Sequence, residues 1–309
     1  MLVIYYRYIG DATMQTCKYC HSDQIVKHGV RAGIQRYLCK NCNHHFYNNA
    51  VTFPRMRVDS HVIVTSLNLY YGGLSTRKVT EQLSSIFGEH VSQSTVWFWV
   101  HKYSELVTDF VKDLKPKLSG KYHHDETEIA VGGKGRYFWE TIDEDTRFIV
   151  AHLLTESRTS ENAKKVFKQA LEKQRPTKLF TDGSFAYDDA YNKVYYSKYK
   201  AERVEWIRRV GIKARETNNM VERLHGTLKD RLRPMRGLKN DKRAETLLNG
   251  YITNYNFCRK HQSIDMTPAE AAGINIKGWK QLIDTAQVQK TVGKEEETEK
   301  QVMEVLVRV

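Results

Sequence analysis

Between Ser60 and Tyr103 apolar residues return every three or four positions. Val62, Ile63, Ser66, Leu67 and Tyr70 follow the spacing of a buried helix face that Gly72-Gly73 ends. Ser75 has the form of an N-cap for a helix carrying Val79 and Leu83, and Ser92 of a cap for one carrying Val96, Trp97 and Val100. Three short helices in this order read as an all-α helix-turn-helix region over residues 57–110. In such a motif the third helix presents Gln93, Ser94 and Thr95 to the major groove of DNA, with His101 and Lys102 nearer the backbone. The connection Phe87-Gly88-Glu89-His90 is longer than the tightest turns of this kind, and a plain helical bundle joining two domains is the alternative.

The period then drops to two. Residues 121–131, 136–142 and 147–154 read as three meandering strands, turned by Gly132-Gly133-Lys134-Gly135 and by Asp143-Glu144-Asp145. A helix follows over Ser160 to Lys173, with Ala163, Val166, Phe167, Ala170 and Leu171 on one face, and then a short buried strand, Thr177 to Thr181, ending at Asp182-Gly183. This β-β-β-α-β order is what a ribonuclease H-like α/β fold requires, with one carboxylate midway along the first strand and another at the end of the fourth. Beyond it, Val221, Leu224 and Leu228 form the apolar seam of a helix, and Ala244, Leu247, Leu248, Tyr251, Ile252 and Tyr255 that of another. Thr267, Pro268 and Glu270 make a capping box. The chain is thus multidomain: 14–50, 57–110, an α/β domain with C-terminal helices over 118–275, and a tail over 276–309 whose stretch from Val288, charged and then apolar, is either a mobile end or a dimer contact.

Four of the five cysteines lie in one stretch, Cys17-Lys-Tyr-Cys20 and Cys39-Lys-Asn-Cys42, eighteen residues apart. Each CxxC loop can aim two thiolates at one tetrahedral ion, with room between for a hairpin turning near Ala32-Gly33, so a structural zinc ribbon follows. A redox motif needs only one pair, and a reducing cytoplasm disfavours disulfides. His21, His44 and His45 are possible substitute ligands, but two complete pairs leave no vacancy. Lys18, Lys27, Arg31, Arg36 and Lys40, interleaved with Tyr37, Phe46 and Tyr47, suit a ribbon that touches DNA. Cys258 reads as a small core residue. Met14 serves equally as a start, with residues 1–13 an upstream read-through, or as part of a short lead strand.

Charge sharpens the picture. The 309 residues carry 49 Lys+Arg against 36 Asp+Glu, a net +13, which points to a polyanionic partner, and nucleic acid first among them. No window approaches eighteen uncharged apolar residues, so no membrane span or signal peptide is expected and the chain reads as cytoplasmic.

His124-Asp125-Glu126-Thr127, Thr181-Asp182-Gly183, the run from Asn218-Asn219 through Glu222 and Gly226 to Lys229, and Met235-Arg236-Gly237 resemble the DDE transposases of bacterial and archaeal insertion sequences, within the retroviral integrase superfamily. Tyr255-Asn256 and the stretch Thr267 to Gly273 resemble that family too, and the likeness covers nearly the whole chain. It implies a nucleoid-associated enzyme that cuts and joins double-stranded DNA at terminal inverted repeats and inserts it into target DNA, working as a homodimer or higher homo-oligomer. It also implies that Lys229, two turns after Glu222, contacts phosphate near the scissile bond; a solvated basic face is the alternative. Thirty-nine residues separate Asp182 from Glu222, more than this branch usually shows, with the insertion expected around Tyr191 to Lys200.

The chemistry stands without the family. Phosphodiester transfer is served by two divalent ions, Mg²⁺ or Mn²⁺, held by carboxylates from separate elements. Asp125 is assigned as bridging ligand, Asp182 and Glu222 as ligands to one ion each. Asp143 and Asp145 read as turn residues, Asp188 and Asp189 as a polar helix start. Glu126 and Glu128 are the nearest decoys, pointing away from Asp125 if the strand alternates strictly, while an irregular strand could bring either one in. A catalytically inactive DNA-binding regulator and a ribonuclease H-like nuclease are the competing functions.

Overall fold

The computed structural model describes residues 16–17, 19–20, 22–31, 34–47, 53, 56, 58–209, 219–235 and 238–290, in two compact units, residues 1–61 and 62–309. Residues 1–13, the turn at 32–33, Lys18, Asn218, Arg236 and Gly237 lie outside the described residues.

In the first unit β1 (Ile25–Arg31), β2 (Ile34–Cys39) and β3 (His45–Tyr47) form an antiparallel sheet in that order. Its core is small: Cys17, Cys39 and Phe46 are buried, with Tyr19, Ile25 and Tyr37 packed against them. Phe46, expected among the aromatics of a basic surface, belongs to this core instead. So few apolar side chains leave the fold dependent on whatever ties the two CxxC loops together.

The second unit contains α1 (Ser60–Tyr71), which begins at the boundary, α2 (Thr76–Phe87) and α3 (Gln93–Lys112). Both expected caps form: Ser75 Oγ accepts from the Lys78 amide and Ser92 Oγ from the Thr95 amide. Gly88 closes α2 in the left-handed region at φ 68°. The third helix is not short. Its buried stripe runs through Val96, Trp99, Val100, Tyr103 and Val107, so it continues to Lys112, and Trp99 rather than Trp97 carries the burial.

That stripe has a destination. α3 packs on α7 (Asp241–Phe257), where a Cβ at Gly250 would stand 2.0 Å from Tyr71 Oη and 2.4 Å from Ser104 Oγ. Tyr71 and Ser104 bond to each other at 2.6 Å, and Tyr71 stacks on Trp279, whose Nε1 donates to Asn254 of α7. The helices are therefore built into the α/β domain. Trp279 belongs to a further helix, α9 (residues 278–290), with Leu282, Ile283 and Ala286 also buried, so the region expected to be a tail from 276 starts as a packed element.

The α/β domain is a five-stranded sheet in the order β6-β5-β4-β7-β8. β4 (Lys121–Val131), β5 (Lys134–Asp143) and β6 (Ile149–Thr155) are antiparallel; β7 (Lys178–Asp182) runs parallel to β4, and β8 (Glu205–Arg209) parallel to β7. This is the ribonuclease H-like arrangement. The fifth strand has no counterpart in the sequence reading, because Glu-Trp-Ile-Arg-Arg is a charged edge strand with no apolar alternation. Helices α4 (Ser160–Lys173) and α5 (Ala186–Val194) cover one face, where Phe167 and Tyr187 close on His124 of β4. The other face receives α6 (Asn219–Leu232) and α7; Thr267 caps α8 (Pro268–Ala271) with its full capping box. The expected insertion, 191–200, is the end of α5 and the lead into a 3-10 turn, Lys200–Glu202.

Asp143 is a turn residue but not a surface one. Fully buried, it accepts from the Ser119 and Gly120 amides, Ser119 Oγ and both the amide and hydroxyl of Thr146, pinning the β5–β6 turn to the start of β4.

Replacing Gly250 by Ala is expected to lower stability by about 1–3 kcal/mol in urea unfolding, since overpacking against the buried Tyr71 outweighs the ordinary helical preference for Ala. A neutral or stabilising result would show that α1, α3 and α7 are not packed as described.

Candidate active site and metal-binding residues

Asp125 and Asp182 are brought together. Asp125 stands midway along β4 and Asp182 at the end of the adjacent parallel β7, and their carboxylates lie, with that of Glu126, within 4.8 Å of one another. Glu126, expected to alternate away, is on the α4–α5 side of the strand. It reaches the cluster from there, held by the Tyr187 hydroxyl and by Arg158. Arg158 also donates to Asp182 Oδ2 at 3.1 Å, bridging two acids. The main chain does its share: the Glu126 amide donates to Asp125 Oδ1 and the Ser184 amide to Asp182 Oδ1. Glu128 is exposed and takes no part among the described residues.

Glu222 sits in the first turn of α6, exposed, and outside the cluster of converging carboxylates. One turn further along the same helix, His225 points into the domain, its Nδ1 3.9 Å from Asp125 Oδ2 and its Nε2 3.3 Å from Glu140 Oε2. α6 thus lies over Asp125 with Glu222 one turn from the point of contact. Lys229 is exposed, one turn beyond His225.

The electrostatics follow from burial. Desolvation, then the charge of Glu126, pushes the Asp125 carboxyl up to about 7, and burial also raises Glu126 against the pull of Tyr187 and Arg158. Glu140, opposite Asp125 in the β4–β5 register, is fully buried, and desolvation with the Asp125 charge pushes it up to about 8. His225 is pulled down to about 4 by burial and by Lys229. Histidine and acid are therefore both neutral near pH 7, so this contact is no ion pair. The centre holds more negative charge than its one arginine offsets, which suits a divalent cation with oxygen ligands.

The four cysteines also converge. Cys17 Sγ is 3.7 Å from Cys42 Sγ and Cys20 Sγ 3.5 Å from Cys39 Sγ, all four within 4.8 Å. Four sulfurs about 2.3 Å from a central zinc are about 3.8 Å apart, so the spacing fits a tetrahedral ion. Without an ion, burial pushes the Cys17 and Cys42 thiols up, Cys42 to about 12, while the Cys42 and Asn41 amides bring Cys39 down to about 6, toward the thiolate a metal takes.

The expected DNA-reading residues differ among themselves. Gln93 is exposed at the first position of α3, whereas the Ser94 and Thr95 hydroxyls meet Ser92 Oγ at 2.7 and 2.9 Å, serving the cap. Lys102 lies over the rings of Phe98 and Tyr103.

Arg158, Tyr187, Glu140 and His225 were not singled out for the site. A signal existed for Glu140 alone: an acid inside the apolar strand Tyr137-Phe-Trp-Glu-Thr-Ile, placed opposite Asp125 by a short hairpin. Arg158 sits in a polar loop where nothing distinguishes it from a solvated arginine.

The sheet order and the acid cluster define a ribonuclease H-like domain with a carboxylate centre. Residues 119–261 match the family described as DDE domain, and residues 34–123 the family described as transposase, Mutator family. These matches make residues 119–261 similar to a DDE domain and residues 34–123 similar to a Mutator-family transposase. The transposase for insertion sequence element IS257 in transposon Tn4003, from Staphylococcus aureus, is 28% identical over 132 residues, 42% of this chain and 58% of that protein. An uncharacterized protein of Methanocaldococcus jannaschii is 30% identical over 106 residues, 34% of this chain and 47% of that protein. The chain spans about half the length of these curated relatives. Similar solved structures include the HTLV-2 integrase catalytic core domain in complex with magnesium, at 14% identity and a TM-score of 0.40, covering 52% of this chain and 98% of that one. The BIV integrase catalytic core has 16% identity and a TM-score of 0.37, covering 50% and 93%.

A carboxyl raised from 3.8 to about 7 keeps in the folded state a proton that the unfolded chain has released. Its stabilising effect in the metal-free protein is thus present at low pH and lost as pH rises toward 7. A divalent ion must displace that proton, so Mn²⁺ affinity, measured by titration calorimetry, is expected to rise about tenfold per unit up to pH 7 and then level off, with proton release on binding. A flat profile between pH 5 and 7 would count against Asp125 as a ligand.

Proposed function

We propose that the protein is a transposase that binds the terminal inverted repeats of an insertion sequence and catalyses divalent-metal-dependent strand cleavage and strand transfer. The observation that carries this reading is the convergence of Asp125 and Asp182 on the adjacent interior strands β4 and β7 of a ribonuclease H-like sheet, beneath the helix bearing Glu222, inside the segment that matches a DDE domain. Asp125, Asp182 and Glu222 would hold Mg²⁺ or Mn²⁺. Bound there, the ions supply activation of the oxygen nucleophile and stabilisation of the leaving oxygen.

The chain's own residues prepare that site. Arg158 spans Glu126 and Asp182 and keeps two like charges in place. Tyr187 fixes Glu126 from α5, leaving it a supporting acid beside Asp125. His225, neutral and packed between Asp125 and Glu140, sets how closely α6 approaches the sheet. Lys229, exposed two turns from Glu222, is suited to a phosphate oxygen of the scissile strand.

DNA recognition falls to α3 and the N-terminal unit. Gln93 has its amide in solvent and can read a base edge; Ser94, Thr95 and Lys102 act through the helix start and the phosphate backbone. Zinc held by Cys17, Cys20, Cys39 and Cys42 builds a ribbon whose basic face meets DNA. Joining two element ends to one target needs two active sites, hence a homodimer or larger assembly. No helix among the described residues is long and apolar enough to cross a membrane. The DNA the protein acts on is cytoplasmic, in the nucleoid. An inactive regulator would have no use for all three acids, and a plain nuclease none for two DNA-reading modules.

In a nicking and joining assay on terminal-repeat DNA, Asp125→Asn, Asp182→Asn and Glu222→Gln are each expected to lower activity at least 1000-fold (about 4 kcal/mol) while repeat binding persists. Glu126→Gln should keep measurable turnover; the reverse outcome, with Glu222→Gln active and Glu126→Gln dead, would transfer the third role to Glu126. Purified protein should carry one zinc per chain by metal analysis. Cys39→Ser should release it and unfold the first unit while residues 62–309 keep their thermal transition, and a zinc-free reduced preparation with that unit folded would refute the ribbon.

A further inference from the structure

On the α6 face of the sheet a groove of about 1120 Å³ begins at His123, two residues before Asp125, and runs to the starts of β4 and β7 at Lys121 and Lys178. α6 forms one wall and the turn after α7, residues 259–263, the other. Six of its lining residues are lysines or arginines and two are acids. Both acids are already engaged, Glu144 with His123 and Asp230 with Arg233. Lys121 and Lys178 have Asp145 and Glu205. That leaves Arg147, Arg223, Arg259 and Lys260, none of which forms an ion pair among the described residues.

Two details show that the positive charge is built in. Arg147 adopts a left-handed backbone, φ 61°, which a residue bearing a Cβ takes only when the turn compels it, and the buried Asp143–Thr146 bonds supply that compulsion. Its Nε is buried without a partner, as is His261 Nε2 in the opposite wall. A buried guanidinium N–H left unpaired, as at Arg147, is costly unless a ligand accepts from it. Four unopposed cations along an open trench repel one another and gain most from a ligand with regularly spaced negative oxygens.

We infer that this groove is a track for the phosphate backbone of double-stranded DNA, apart from the carboxylate centre and from α3. The inference rests on the DNA-acting reading above and deepens it by assigning the path along which the duplex leaves the acids. Because the contacts are to phosphate, the track is indifferent to sequence.

The test is the salt dependence of duplex binding by the full chain, followed by fluorescence anisotropy without divalent metal. Each phosphate contact contributes about 0.9 to the slope of log affinity against log salt. Arg259→Gln with Lys260→Gln should lower the slope by about 1.8, and Arg223→Gln alone by about 0.9, on repeat and random DNA alike. Lys165→Gln with Lys168→Gln removes the same charge from exposed positions on α4 and should leave the slope unchanged. Equal loss in that control, or unchanged slopes in the groove variants, overturns the track. So does preferential binding of polyglutamate through the same residues, which would mark an acidic protein partner. Should the double variant fail to fold, Arg223→Gln on the exposed helix surface gives the reading alone. Binding that follows these slopes in a protein unable to nick DNA in Mg²⁺ sinks the transposase proposal and upholds the track; nicking with unaltered slopes does the opposite.

Discussion

Carboxylates crowded together on two adjacent strands repel each other, and at this site the repulsion is maintained rather than relieved. Asp125 is held by burial and by Glu126 near the pKa at which it half-protonates, Glu140 behind it stays neutral, and one arginine spans Glu126 and Asp182. Such a centre is under-neutralised by design of the fold, because β4 and β7 are adjacent and parallel and deliver their acids to the same place. A divalent ion held by these acids would offset the repulsion. The surrounding residues make sense as supports for that charge: Tyr187 from α5, His225 from α6 and the Glu126 and Ser184 amides each fix one acid or its neighbour.

The same constraint organises the rest of the second unit. α6 must lie close enough to Asp125 for its first turn to serve the centre, and α7 packs beside it on the sheet. α7 is also where α1 and α3 dock, through the gap left by Gly250. α1, α3 and α7 are thus packed into one body through Tyr71, Ser104 and Gly250.

Much of this was legible in the sequence because it depended on local signals. Ser75, Ser92 and Thr267 are caps at the expected positions, the three meandering strands and the helix from Ser160 followed from periodicity, and Asp125 and Asp182 followed from their places in that order. The misses share a cause. The length of α3, the packing of residues 278–290 and the burial of Asp143 were set by tertiary partners that no window of sequence contains. β8 was lost because an edge strand has no need of apolar alternation. Glu126 alternates away from Asp125 as expected, yet a glutamate is long enough to reach the cluster from the α4–α5 side beside the short β7. Glu222 shows the converse: its motif is clear in the sequence, whereas its side chain stands outside the cluster that Asp125, Glu126 and Asp182 form.

The claim that most depends on is that the acids of β4, β7 and α6 hold divalent metal together. Loading the protein with Fe²⁺ in place of Mg²⁺ and adding ascorbate and peroxide cuts the backbone next to bound iron, and mass spectrometry of the fragments locates the cuts. Cleavage beside Asp125, Asp182 and Glu222, suppressed by excess Mg²⁺, is the expected result; cleavage confined to residues 125–126 and 182, with none in α6, would contradict it.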